Sequence, residues 1–211
     1  MADNTVLIYQ TSDARKPFEE WLYALKDWQA FARIQTRIAR LALGNAGDYR
    51  ALEDGIFEMR IDWGPGYRIY YAQIGPVILL LLSGGDKTTQ QRISTMPKAT
   101  LKTTKRERIA VPPSVPYEAY LLEQLKDPEA AAAYIEAAID EGDQAVLMLA
   151  LRHVAQARGG VSEIARKSKL TREATYRMLS KSGNPELRSL TAILGAAGLR
   201  LSVKPIGKQA A

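Results

Sequence analysis

Arg60, Arg68, Tyr70 and Lys87 form the candidate cationic, phenolic site of this chain, and they do so without a histidine nearby. Between Leu52 and Gln91, Phe57, Met59 and Ile61 alternate with Glu58, Arg60 and Asp62, and Tyr67, Ile69 and Tyr71 alternate with Arg68 and Tyr70. That period of two is the period of strands with one apolar and one polar face. With Gly64-Pro65-Gly66 as a three-residue hairpin loop, Arg60 would lie opposite Tyr70 and Asp62 opposite Arg68, so the arginines and the phenol share one surface. Val77 to Leu82 is apolar on both faces and belongs at a sheet centre, after which Ser83-Gly84-Gly85-Asp86 delivers Lys87 to the strand end. RNA cleavage by 2′-hydroxyl attack needs a proton acceptor, a proton donor and cations around the pentacoordinate phosphate. The plainer alternative pairs Arg60 and Arg68 with Glu58 and Asp62 across the strands and leaves Lys87 as a solvated loop lysine.

These strands need helices on one face. Phe18, Trp21, Leu22 and Leu25 form one apolar stripe and Phe31, Ile34, Ile38 and Leu41 another, on an αα-hairpin that follows a strand at Val6 to Gln10. The expected order is βααβββ. The runs EMRI, GPGYRIYY and GGDKTTQ in this order resemble the RelE/ParE superfamily of bacterial toxins, most closely the HigB-type addiction-module killer proteins, over roughly residues 6–91. The resemblance implies that Arg60, Arg68 and Lys87 bind and neutralise RNA phosphate, with Tyr70 or Tyr71 assisting by stacking or proton transfer. Parity favours Tyr70, which falls beside the arginines. The cationic set suits messenger RNA cleavage on the ribosome better than poisoning of gyrase, the other activity of the superfamily.

Composition excludes several classes. With 211 residues, 46% apolar and 25% charged, the chain can hold one or two ordinary globular domains. The absence of cysteine removes disulfides and thiolate metal sites, and with His153 as the single histidine no metal or other cofactor is expected. His153 itself reads as a packing or surface residue. Gly84-Gly85-Asp86-Lys87-Thr88 lacks the spacing of a nucleotide-binding phosphate loop. Trp21, Trp28 and Trp63 read as core or hairpin anchors. No leader is evident at the start, and no apolar run could span a bilayer, so a soluble, cytoplasmic protein without a membrane partner is expected.

The net charge of +6 is unevenly spread: residues 1–96 balance to zero, 97–116 carry +4, 117–150 carry −7 and 151–211 carry +9. Attraction to phosphate is therefore concentrated in the C-terminal quarter. The basic, then proline-rich stretch 97–116 reads as a linker between a domain at 1–96 and another at 117–211.

Beyond the linker every pattern is helical, giving an α+β chain: a sheet-and-helix domain followed by an all-α domain. Asp127 with Pro128 starts one helix and Asp143 another, which closes at Gly159-Gly160. Ser162 begins EIARKS, Lys169 falls at the turn, Thr171 caps REATYRMLSK, and Asn184-Pro185 opens a last helix. This is the spacing of a DNA-binding helix-turn-helix. Together with YIEAAIDEG and Gly183-Asn184-Pro185 it resembles the HigA-like antitoxins of the same modules. The resemblance implies that Arg172, Thr175, Tyr176 and Lys181 face operator DNA beside Thr171, with Ser162 and Lys169 near phosphate, in a homodimer. Their plainer reading is a solvated basic face.

The two resemblances together predict a toxin-antitoxin fusion: an mRNA-cleaving domain held inactive by an intramolecular contact with an autorepressing antitoxin domain. The acidic segment 117–143 is expected to lie against the phosphate site as a competitor for RNA. One departure favours a rival. The toxin family continues past its lysine loop into a final helix, whereas here QQRIS runs into MPKATLKT, which looks like the start of a separate antitoxin. The rival is a DNA-binding regulator whose truncated toxin half is a catalytically dead scaffold.

Overall fold

In the computed structural model, which describes residues 4–75, 78–86 and 112–203, strand β1 (Thr5–Tyr9) is followed by helices α1 (Pro17–Ala24) and α2 (Trp28–Ala42). Strands β2 (Tyr49–Ala51), β3 (Ile56–Ile61), β4 (Tyr67–Ile74) and β5 (Ile78–Asp86) complete the first half. Asp27 caps α2, its carboxylate accepting from the Gln29 N–H at 2.8 Å. The expected βααβββ order gains one strand, because Tyr49–Ala51 pairs antiparallel with β3. Strand β5 lies between β4 and β1, parallel to the latter. Its two-faced apolar sequence follows from that position: Leu79 and Leu81 join the core beneath the helices, while Leu80 and Leu82 join a second cluster on the other face.

The hairpin between β3 and β4 differs from its expected register. Ile61 faces Tyr67, so the connection runs from Asp62 to Gly66, and Arg60 stands opposite Arg68 and Glu58 opposite Tyr70. The Trp63 N–H bonds the Ile61 carbonyl and the Gly66 N–H the Trp63 carbonyl, with Gly64 and Gly66 at φ 54° and 78°. This wider turn ends the ladder two residues earlier. Strand β5 also continues through Asp86, so Gly84 and Gly85 are strand rather than loop residues. Gly84 is needed there because the Trp21 ring occupies the space that a Cβ would take. Lys87 lies outside the described residues.

The second half begins with β6 (Ser114–Pro116), which pairs antiparallel with β1 through Ile8 and Val115. The end of the expected linker is thus the edge strand of a six-stranded sheet ordered β2-β3-β4-β5-β1-β6. Helices α3 (Tyr117–Gln124), α4 (Pro128–Asp140), α5 (Gln144–Ala157), α6 (Val161–Ser168), α7 (Arg172–Met178) and α8 (Leu187–Ala196) follow. Asp127 and Asp143 cap α4 and α5 as expected. Helix α7 is shorter than predicted, leaving Lys181 in the turn after it, and α8 starts at Leu187 rather than at Asn184-Pro185. No helix among the described residues is long and apolar enough to cross a membrane.

The halves share one core, which runs without a break from Ile8 to Leu194. Ala133 and Ala137 of α4 meet Ala32 and Trp28 of α2, small residues that allow close helix approach. Arg33 pairs with Asp140 at 2.6 Å, and Arg37 and Arg40 both pair with Glu141. Tyr23 and Tyr120 meet edge to face at 5.4 Å. The acidic helices therefore contact the first half, but through α1, α2 and β1 rather than over the arginines of the sheet.

Gly84→Ala should lower stability by about 1–3 kcal/mol, because the added methyl must displace the Trp21 ring from a filled core. Urea denaturation and tryptophan emission measure both effects. Unchanged stability would mean that the Trp21 ring does not close on the β5 backbone.

Candidate functional site

On the sheet face opposite α1 and α2, Glu58 organises the residues picked out by the sequence. It is 1% exposed and accepts from Arg60 Nε at 3.0 Å, Arg68 Nη1 at 2.7 Å and the Tyr70 hydroxyl at 3.0 Å. Strand alternation produces this cluster, since Met59, Ile69 and Tyr71 point into the helix-side core while Glu58, Arg68 and Tyr70 point the other way. Burial alone would push the Glu58 carboxyl up, but hydrogen bonds from Arg60 and Tyr70 and the charges of Arg68 and Arg60 outweigh it and hold the group below the usual range. Burial and the neighbouring Glu58 charge push the Tyr70 phenol far up, so it stays protonated at neutral pH.

The structure brings Arg60, Arg68 and Tyr70 together, but around an internal carboxylate. The cross-strand pairing weighed as the plainer alternative is present for Glu58. Tyr70 is 1% exposed, which corrects its assignment as a group touching substrate: a buried phenol bonded to Glu58 positions that carboxylate instead. Arg60 keeps side-chain exposure of 39%, against 16% for Arg68. Glu58 itself was passed over as a functional residue, although its parity with Arg60 was the signal. Trp63, expected as an anchor, is exposed at the hairpin tip, with the Arg33 guanidinium 4.8 Å from its ring centre.

In the second half, α6 and α7 form a tight pair joined at Lys169, whose φ of 58° and ψ of 33° are left-handed. That conformation costs a side chain about 1 kcal/mol. Thr171 caps α7, its hydroxyl accepting from the Ala174 N–H at 3.2 Å. Ser162, Lys169, Thr171, Arg172 and Tyr176 are exposed, as is Lys181 in its turn. The Arg172 guanidinium lies 5.5 Å from the Tyr176 ring centre. Thr175 departs from the expected set: it is 0% exposed and its hydroxyl donates to the Thr171 carbonyl at 2.9 Å, so it stabilises the helix and faces no ligand. Arg152 was not anticipated. From α5 it donates through Nε and Nη2 to the Leu179 carbonyl, at 3.0 and 2.6 Å, and so ties down the C-terminal end of α7.

His153, the single imidazole, is a packing residue. Its Nδ1 lies 3.2 Å from the Tyr134 hydroxyl and its ring stacks on that tyrosine. Burial, with a smaller contribution from the Arg152 charge, pushes it down to about 4.

Residues 118–205 match a protein family described as Probable addiction module antidote protein. Two uncharacterised proteins of Haemophilus influenzae are similar to the chain. One is 51% identical over 75 residues, 36% of this chain and 76% of the relative. The other is 30% identical over 82 residues, 39% of this chain and 84% of the relative. No solved structure gives a significant match.

Glu58→Gln should lower stability by about 3 kcal/mol, the low end for breaking a buried ion pair, because both arginines can partly reach water. Arg60→Ala should cost less, since its side chain is the more exposed. Equal losses in urea titrations would show that Glu58 is not the hub. Acid titration tests His153 separately. The unfolded chain takes up its proton near pH 6.5 and the folded chain only near pH 4. The contribution is whole above pH 6.5 and is lost as pH falls through that window, by up to about 1.4 kcal/mol per unit. His153→Gln should flatten the slope between pH 6.5 and 5, and an unchanged slope would place its origin elsewhere.

Proposed function

The chain belongs, through residues 118–205, to the family of probable addiction module antidote proteins, and from that premise we propose that it is a toxin-antitoxin pair carried on one polypeptide. The observation that carries this reading is the docking of the antidote-family half, within the same chain, onto a sheet domain with the motif set of RelE/HigB-like toxins. In this reading the sheet domain is a ribosome-dependent mRNA endoribonuclease, with Arg60, Arg68 and Lys87 as phosphate-neutralising cations. Tyr70 positions Glu58. Silencing acts through α1, α2 and β1, by barring the domain from the ribosome or fixing its conformation, because α3 and α4 pack on the helix side of the sheet. The antidote half binds operator DNA as a homodimer through the exposed face of α7, and so represses its own transcription in the cytoplasm.

A second reading is favoured by one observation: Glu58 already engages both arginines. A sheet domain whose two arginines already share an internal carboxylate suits a catalytically dead scaffold for a DNA-binding regulator.

Growth and transcripts distinguish the two. Ala137→Arg with Glu141→Lys in the full chain should separate α4 from α2, arrest growth and cleave messenger RNA, and adding Arg68→Ala should relieve the arrest. A folded, accumulating double variant that leaves growth and transcripts untouched would establish the scaffold. Arg172→Ala should weaken binding to the upstream promoter roughly tenfold, as for loss of one base or phosphate contact. Unchanged binding would remove α7 from the DNA interface.

A further inference from the structure

A cavity of about 350 Å³ lies between the two halves, with α2 and β1 on one side and α3, α4 and α5 on the other. That volume is within the range of small-molecule sites, about 300–1,000 Å³. Of its lining residues, Gln35, Ile38 and Tyr134 are each 0% exposed and Leu121, Ala39 and Tyr117 are also buried. Gln35 carries the argument. Both its Nε2 and its Oε1 are buried, and neither finds a hydrogen-bond partner among the described residues. The Tyr117 hydroxyl, from the other half, is likewise buried and unpartnered. Leaving such groups unpaired costs about 1–3 kcal/mol each, and a helix facing only apolar neighbours would carry leucine at position 35 more stably.

We propose that this cavity binds a small, neutral, planar heterocycle with an adjacent hydrogen-bond donor and acceptor, the edge of a lactam or a nucleobase. A carboxamide offers one donor and one acceptor side by side and, once the Gln35 side chain turns from its buried position toward the cavity, is matched by the same pair reversed. Tyr117 and the neutral His153 supply aromatic surface for a flat ring, and the half-buried Val6 and Leu149 supply apolar surface. Charge does not favour an ion, since the lining holds one residue of each sign, Glu118 and Arg152. The Arg152 guanidinium is committed to the Leu179 carbonyl. A ligand here touches both halves, so it strengthens their association, and it sits beside the residue that fixes the end of α7. The inference stands on the cavity and does not rest on the proposed function.

Uracil and adenine, with benzene as the flat control lacking a polar edge, test it on the intact chain. One of the two bases should shift the Gln35 side-chain amide resonances and the Tyr117 and Tyr134 ring signals saturably, and raise the melting temperature. Benzene should do neither. Gln35→Leu should weaken that binding at least tenfold while leaving the fold intact, as judged by circular dichroism, and Tyr117→Phe should weaken it by a smaller factor. The proposal is overturned if neither base shifts these signals, if benzene shifts them equally, or if binding survives in both variants. A crystal grown with the base and showing only water on Gln35 and Tyr117 would overturn it too.

Discussion

Helix α2 is buried on two sides, and the rest of the structure depends on that. Phe31, Ile34, Ile38 and Leu41 face the sheet, while Ala32 and the Trp28 ring receive α4. Between these surfaces Arg33, Arg37 and Arg40 recur at helical spacing and meet Asp140 and Glu141. An amphipathic helix with one apolar stripe needs one partner. This helix has a second, alanine-lined surface, too shallow to be a core by itself and shaped for another helix. The strong burial of α2 is therefore a property of the whole chain and not of the first half alone.

Electrostatics follows from the same geometry. The acidic end of α4, Asp140 with Glu141, meets arginines on the helix side of the sheet, while Glu58 serves the arginines on the far side. Two basic clusters are thus held by separate acidic groups, Asp140 with Glu141 on one side and Glu58 on the other. Competition between α4 and RNA for Arg60 and Arg68 has no place in this arrangement. The local competitor is Glu58, which is tied to the arginines by strand pairing and hydrogen bonds and is not released when the halves part. A phosphate approaching Arg60 would have to share it with a carboxylate already desolvated in its favour. That is why the internal carboxylate bears more directly on whether the sheet domain can be an enzyme than the position of the antidote half does.

Much of this was legible in the sequence because it depended on local periodicity. The αα-hairpin, the two-faced β5, the caps Asp127, Asp143 and Thr171, and the turn at Lys169 all follow from patterns within a few residues. The β3–β4 register was not legible, since a glycine-proline-glycine turn is compatible with more than one hairpin length, and a shift of two preserves every inward and outward assignment while changing each cross-strand partner. The same shift brought Glu58, rather than Asp62, to the centre of the cluster. Position of Ser114–Pro116 at the sheet edge also escaped, because a proline-rich extended segment looks the same as a tether and as an edge strand. Thr175 was misplaced for a different reason: on a helix of only two turns, one residue's rotation separates the exposed face from the packed one.

Helix α5 links several contacts of the second half. Val146, Leu151 and Val154 belong to the shared core, His153 holds Tyr134 of α4, and Arg152, the next residue, holds the carbonyl at the end of α7. Arg152 and His153 are neighbours in sequence, so they project about 100° apart on the helix and reach different elements from one backbone position. A rotation of α5 that loosens the contact with α4 must also move the guanidinium that fixes α7. Among the described residues no comparable link leads from α5 to the Glu58 cluster, from which α5 is separated by the sheet. If the docking of the two halves and the presentation of α7 influence one another, the coupling runs through this single turn of α5, and the fold offers the sheet's far face no direct part in it.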